Sequence, residues 1–246
     1  MNRVNLSFSL LMLLLLVSLG CGNNESGAST KSGVAPSPSN VPPETPAMLQ
    51  PAGKTFAYNF DADTAGQMPS KFHAGLTGQG AKPEWAVKAD ATAPSQPNVL
   101  AQLSKDKTDY RFPLAILDEG SFKDLELSVK FKAVSGEVDR AAGLIFRVKD
   151  ANNYYIVRAN ALEGNYRLYH VIAGKRQQFA GANLKVASDE WHELRVDCIG
   201  SKITCYYDGE KKIEATDNTF SEAGKVGLWT KADSVTYFDD LQVTAK

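Results

Sequence analysis

The chain has 246 residues, 27 Lys and Arg against 28 Asp and Glu, a formal net charge of −1, and 43% hydrophobic residues. Balanced charge without a Lys/Arg block excludes a nucleic-acid binder, because such proteins cluster basic groups to neutralise several phosphates. Zinc is excluded as well, since none of the three Cys and three His residues falls at ligand spacing.

Residues 1–20 read as a targeting segment rather than as part of a fold. Arg3 precedes the apolar run Leu10-Leu11-Met12-Leu13-Leu14-Leu15-Leu16-Val17. That run is shorter than the roughly 20 residues of a transmembrane helix but suits the core of a signal peptide. Ser18-Leu19-Gly20-Cys21 follows and resembles the lipobox of bacterial lipoproteins, with Ser18 where Leu is commonest. The resemblance implies cleavage before Cys21, lipidation of its thiol, and an extracytoplasmic protein held to a membrane by lipid, at the outer membrane or the periplasmic face. Each buried methylene contributes roughly 0.8 kcal/mol, so two or three acyl chains make a stable anchor. Residues 21–53 are rich in Ser, Gly, Pro and Asn and lack apolar periodicity. Such a segment cannot bury enough surface to offset its chain entropy, and it reads as a disordered linker.

Residues 54–246 suffice for one single-core domain. A loose first part contains strands at Phe56–Phe60, Glu84–Lys88 and Val99–Leu103, with Asp61–Lys82 expected to wrap the surface as a loop. Asp124–Lys132 then alternates polar and apolar residues over nine positions, the pattern of a strand with one wet face. Further strands are expected at Gly143–Val148, Tyr154–Asn160, Tyr166–Ile172, Arg176–Ala182, His192–Cys198, Lys202–Tyr207, Lys211–Ala215, Lys225–Thr230 and Val235–Val243. Turn residues such as Asp150-Ala151-Asn152-Asn153 and Asp208-Gly209 separate them. No apolar stripe keeps a helical period for three turns, so the fold class is all-β, a sandwich or barrel. Cys198 and Cys205 fall on the two arms of one hairpin. A cross-strand disulfide and two buried thiols are both compatible with that spacing.

Several segments carry a family resemblance: Ala142–Arg147, Asn152–Asn160, Glu190–Val196, Tyr206–Gly209, and the ending Val226–Trp229 with Tyr237–Val243. Their order resembles the concanavalin A-like lectin/glucanase superfamily and its laminin-G-like jelly rolls. It is closest to the bacterial 3-keto-disaccharide (3-keto-glucoside) hydrolase/lyase domain family, called family-16-glycoside-hydrolase-like. The resemblance covers roughly residues 55–246. It implies two packed antiparallel sheets, one concave, with first and last strands adjacent, and carbohydrate as the ligand class. It also implies a structural calcium near the terminal strands, held by Asp240 with Asp61 or Asp63, as suits a hard cation. No other cofactor is required.

Glycosidases place two carboxylates across the scissile bond, and glucanases of this fold carry Glu-x-Asp-x-x-Glu on one strand. Here Glu137-Val138-Asp139 lacks the third acid and lies in a turn, which reads as a solvated loop. Binding residues are sought instead where polar groups interrupt the apolar alternation: Arg147, Arg158, Asn160, Arg167 and Tyr169, with Trp229 and Lys231 nearby. Amide and guanidinium groups bond sugar hydroxyls, and rings stack on the sugar's C–H face. The alternative is a wet sheet surface with cross-strand polar pairs. Trp191 reads as structural, and His73, His170 and His192 lack any catalytic spacing. Three functions fit: a glycan-binding module of an envelope lipoprotein, an enzyme acting on 3-keto-glycosides, and a non-catalytic protein-binding module.

Overall fold

The computed structural model describes residues 48–246, so the expected targeting segment, Cys21 and most of the expected linker lie outside the described residues. These hold fifteen strands and no helix: β1 (Thr55–Tyr58), β2 (Phe72–Gly78), β3 (Trp85–Ala89), β4 (Asn98–Gln102), β5 (Arg111–Leu117), β6 (Leu125–Ser135), β7 (Ala141–Asp150), β8 (Asn153–Asn160), β9 (Asn165–Ile172), β10 (Lys175–Asn183), β11 (Trp191–Ile199), β12 (Lys202–Tyr207), β13 (Glu210–Thr216), β14 (Lys225–Trp229) and β15 (Val235–Ala245). They make two antiparallel sheets. One runs β13-β12-β11-β6-β15-β4-β3, with β1 added beside β15, and the other runs β10-β9-β8-β7-β14-β5-β2. The first and last strands are neighbours, with Thr55 opposite Thr244.

The alternation along β6 explains the packing. Leu125, Leu127, Val129 and Phe131 point between the sheets and are buried, while Glu126, Ser128 and Lys130 face outward. They meet Leu144, Phe146, Tyr155, Val157, Tyr166, Leu168, Leu194, Val196 and Phe238 in the inter-sheet core. Burial of such side chains, roughly 1.5–3 kcal/mol each, dominates the stability of the sandwich.

The seven-stranded sheet has a second core on its other face. Phe112, Leu114, Ile145, Tyr154, Ile156, Tyr169, Val171 and Trp229 form a separate buried cluster there. The sheet furls, so that its far sides meet across this face: the Tyr110 hydroxyl donates to the Gly174 carbonyl, and the Thr77 hydroxyl to the Ala151 carbonyl. Gly143 lies opposite Trp229 in register, and a Cβ there would sit 2.5 Å from Ile156 Cδ1 and 2.9 Å from the Val157 carbonyl oxygen. The segment Asp61–Lys82 is therefore not the surface loop expected. It contains β2, an edge strand pairing with β5 from Phe72↔Leu117 to Gly78↔Arg111. The reasons differ: β5 is buried on both faces and reads after Arg111 as a continuous apolar run, and β2 alternates but carries two glycines among its seven residues.

Two further expectations change. Arg147 does not join a ligand-binding face. A register shift after Phe146 and a φ of 46° at Arg147 turn its side chain toward the loops. There it donates to the carbonyls of Lys123 (2.8 Å), Phe220 (2.8 Å) and Gly200 (2.7 Å) and pairs with Asp124 at 3.3 Å. Cys198 and Cys205 are not bridged. Cys198 lies opposite Ile203 and Cys205 opposite Val196, so the thiols are diagonal neighbours, too far apart for an S–S bond. Both are free and buried.

Arg147→Leu would strand three carbonyls and one carboxylate. The expected cost is about 3–5 kcal/mol, a fall in Tm of roughly 10 °C for a domain of this size. A calorimetric shift under about 2 °C would disprove the role of Arg147 as a staple.

Candidate functional site

The outer faces of β8 and β9 bring Arg158, Asn160, Arg167 and Tyr169 together beside the opening of the furl. Arg158 lies opposite Arg167, and Asn160 opposite Asn165. Two cations facing each other across strands repel, yet each is anchored. Arg158 donates to Asn165 Oδ1 (2.7 Å), Glu163 Oε2 (2.7 Å) and Tyr169 Oη (3.1 Å). Arg167 donates to the Ala182 carbonyl (2.7 Å) and Asn183 Oδ1 (2.6 Å). Burial favours the neutral form of Glu163, but bonds from Asn165 and Arg158 outweigh it and hold the carboxyl below its ordinary value. Glu163 therefore stays an anion.

Asn160 is fully buried and serves the scaffold. Its amide donates to Asp139 Oδ1 (2.9 Å), and its oxygen accepts the N–H groups of Leu162 and Glu163. Asp139 is not a solvated loop residue as expected, being only 1% exposed. It meets Lys231 Nζ at 3.0 Å, and Lys231 reaches out to Asp109 at 2.6 Å. Burial pushes the Asp139 carboxyl up despite Lys231. Burial opposes the Lys231 charge, but Asp109 and Asp139 outweigh it and keep the ammonium protonated.

One carboxylate fixes the loop that presents Asp139. Asp233 accepts the N–H groups of Glu137 (2.8 Å), Val138 (3.0 Å) and Asp139 (3.0 Å). Gly136 makes the turn possible, because at its φ of +145° a Cβ would sit 1.9 Å from the Asp139 carbonyl oxygen.

The aromatic rings are arranged differently from the expected platform. Trp229 is fully buried and stacks on Phe112, with ring centroids 5.3 Å apart. Arg176, the first residue of the expected strand Arg176–Ala182 and not a candidate there, lies against the rings of Tyr169 (4.5 Å), Phe112 (4.8 Å) and Trp229 (5.6 Å). Trp229 and Tyr169 are thus the floor beneath a guanidinium and present no open face to a sugar ring. Two signals point to Arg176: β10 pairs it with Val171, on the same face as Tyr169, and it follows a two-residue hairpin turn that aims it inward.

The remaining candidates lie elsewhere. His73 pairs with Asp118 at 2.5 Å, and His192 pairs with Asp208 at 2.8 Å and stacks on Tyr207. Trp191, on the eight-stranded sheet, donates to Thr92 in the loop between β3 and β4. A cavity of about 580 Å³ opens on the outer face of the eight-stranded sheet, lined by Tyr58, Asn59, Lys130, Glu193, Asp240 and Gln242. Its cation and one of its anions, Lys130 and Glu193, already pair at 2.8 Å, and it lacks the arginine–aromatic layer of the furl.

Asp61 and Asp240 sit near Asp239 in a carboxylate knot at the terminal strands. Asp61 accepts from the Asn98 N–H (3.0 Å) and the Asn59 amide (2.8 Å), and Asp240 accepts from the Ser95 hydroxyl (2.7 Å). Asp239 takes the N–H groups of Ser95 and Asp240; burial, then the charges of Asp240 and Asp61, push it up to about 6. As arranged, these oxygens are committed to protein donors. Among the described residues no group of three His, Cys, Asp or Glu is spaced to hold a metal ion. Calcium enters no step below.

The Asp233 collar has a definite pH signature. Burial raises its pKa, but the three N–H bonds outweigh this and hold it below the ordinary aspartate value. A carboxyl depressed by folding adds stability that is present above its unfolded value, about 4, and is lost as pH falls through the folded one. Asp233→Asn should therefore lower Tm by several degrees at pH 7, with the gap to wild type closing below about pH 4. A gap independent of pH would rule out a charged collar.

The family model for the 3-keto-alpha-glucoside-1,2-lyase-like domain matches residues 75–244. No curated protein sequence matches at a significant level. Among solved structures, the carbohydrate binding module CBM66 from Bacillus subtilis aligns with 70% of this chain and 95% of its own, at 19% identity and a TM-score of 0.55. A protein of unknown function from Shewanella oneidensis aligns over 81% and 89% at 14% identity and a TM-score of 0.51. A GH43 protein from Bacillus licheniformis aligns over 77% of this chain and 39% of its own, at 16% identity and a TM-score of 0.51. At such identities the likeness is one of fold. The matched residues run from within β2 to within β15 and contain the furl except the start of β2, and the chain belongs to the 3-keto-alpha-glucoside-1,2-lyase-like domain family.

Proposed function

We propose that the domain binds carbohydrate at the opening of the furled sheet, displayed from a membrane by lipid on Cys21. One observation carries this reading: the Arg158–Glu163–Asn165–Tyr169 cluster and the Arg176 guanidinium on its aromatic floor lie at the same opening. Planar donors and acceptors held rigidly and partly out of water suit a hydroxyl-rich ligand, because they lose little freedom on binding. A carbohydrate-binding module of the same fold supports the ligand class.

The second reading is turnover of 3-keto-glycosides, which the family description favours. Elimination beside a C3 ketone needs a base to take the C2 proton as the bond from C1 to the leaving oxygen breaks. Asp139 is the carboxyl at this face with a raised pKa, but it is sealed against Lys231 and Asn160. Glu163 is reachable, yet its lowered pKa makes it a weak base. Binding fits these carboxylates better.

Arg158→Ala should weaken glycan retention at least tenfold, as expected for loss of a charged hydrogen-bonding group, with the fold followed by circular dichroism. Release of product from 3-keto-glucosides by the wild type would transfer the assignment to the lyase. A glycan panel without binding or turnover would leave a protein partner. Separately, Cys21→Ala should move the protein from the membrane fraction to the soluble one and abolish palmitate labelling; unchanged fractionation would sink the lipid anchor.

A further inference from the structure

The charges at the opening do not cancel. Arg158 is paired with Glu163 at 2.7 Å, and Lys231 lies between Asp109 and Asp139. Arg167 is satisfied by a carbonyl and an amide oxygen. Arg176 has neither kind of partner. No nitrogen of its guanidinium donates to an acceptor among the described residues, and its Nη1 is buried without one. Every other arginine among these residues reaches an oxygen: Arg111 those of Ala81 and Ala232, Arg140 those of Gly136 and Ser188, Arg195 that of Asp197.

A guanidinium offers five N–H donors and no acceptor. Ring faces attract its charge but leave the in-plane donors unmet. Keeping such a group half out of water without an acceptor costs free energy, and burial, with Arg158 alongside, already disfavours its charged form. Asp139, the carboxylate close enough to act on it, is committed to Lys231 and Asn160. The rings of Phe112, Tyr169 and Trp229 surround the guanidinium carbon at 4.8, 4.5 and 5.6 Å and restrict where the group can move. A planar fork of N–H donors matches the two oxygens of a carboxylate.

We propose that Arg176 receives a carboxylate of the ligand, so that the domain selects acidic, uronate-bearing glycans over neutral ones. The inference rests on the carbohydrate-binding reading above and deepens it.

The test uses galacturonate and glucuronate oligosaccharides, each beside its fully methyl-esterified counterpart, titrated into the protein by calorimetry. The expected result is that an acidic chain binds at least tenfold more tightly than its ester, the order of effect of a charge-assisted bidentate contact. Arg176→Gln should remove that ratio, and Arg176→Lys, which keeps the charge but not the fork, should leave only part of it. Equal binding of acid and ester, or a ratio that survives Arg176→Gln, would overturn the inference while leaving glycan binding in place. Failure of every acidic and esterified chain to bind would overturn the inference, and the glycan panel above would then decide carbohydrate binding by itself. The wild-type comparison of acid with ester decides the point even if a variant fails to fold.

Discussion

The constraint behind the rest of this structure is that the seven-stranded sheet buries both of its faces. One face packs on the eight-stranded sheet, and the other closes on itself around Phe112, Tyr154, Ile156 and Trp229. A sheet with one wet face could carry side chains of any kind there. This one cannot, so each polar group at its opening must bring its own partner. The Arg158–Glu163 pair, the Asp139–Lys231 pair and the amide of Asn160 all follow from that requirement. Arg176 is the exception among the arginines, and for that reason it is the most informative side chain at the opening.

Elsewhere the chain uses buried arginines as tools of assembly. Arg111 gathers the carbonyls of Ala81, Lys82 and Ala232, as Arg147 gathers those of Lys123, Gly200 and Phe220. Each ties segments distant in sequence into one rim, where irregular backbone would otherwise leave carbonyls without donors. Asp233 does the converse, collecting three N–H groups around one anion. Loops held in this way are rigid supports, which is what the placement of Asp139 and Lys231 needs.

The strands with one polar face were legible from alternation alone, and β6 and β15 were read nearly to their ends. The strands that close the furl were not, because β5 is apolar at every position after Arg111 and the alternation in β2 is diluted by Gly75 and Gly78. With the furl hidden, Trp229 and Tyr169 read as open platforms when they are a covered floor. Arg147 read as a site residue because period two assigns a face by counting, and a bulge breaks the count. Asp139 looked solvated because Ser135-Gly136-Glu137 reads as a turn. The turn is real, but an aspartate almost a hundred residues later pins it inward. Arg158, Asn160, Arg167 and Tyr169 do share one face, since β8 and β9 run without a register shift between them.

The two diagonal thiols have a consequence beyond the missing bridge. The thiolate is the form that oxidises and exchanges, and burial pushes Cys198 up to about 11 and Cys205 well above its ordinary value. Neither sulfur is poised to react, and neither geometry nor ionisation favours joining them. The described domain therefore owes nothing to a bridge between Cys198 and Cys205. Apolar packing and the buried arginine and aspartate staples hold it together, and none of these is a redox bond.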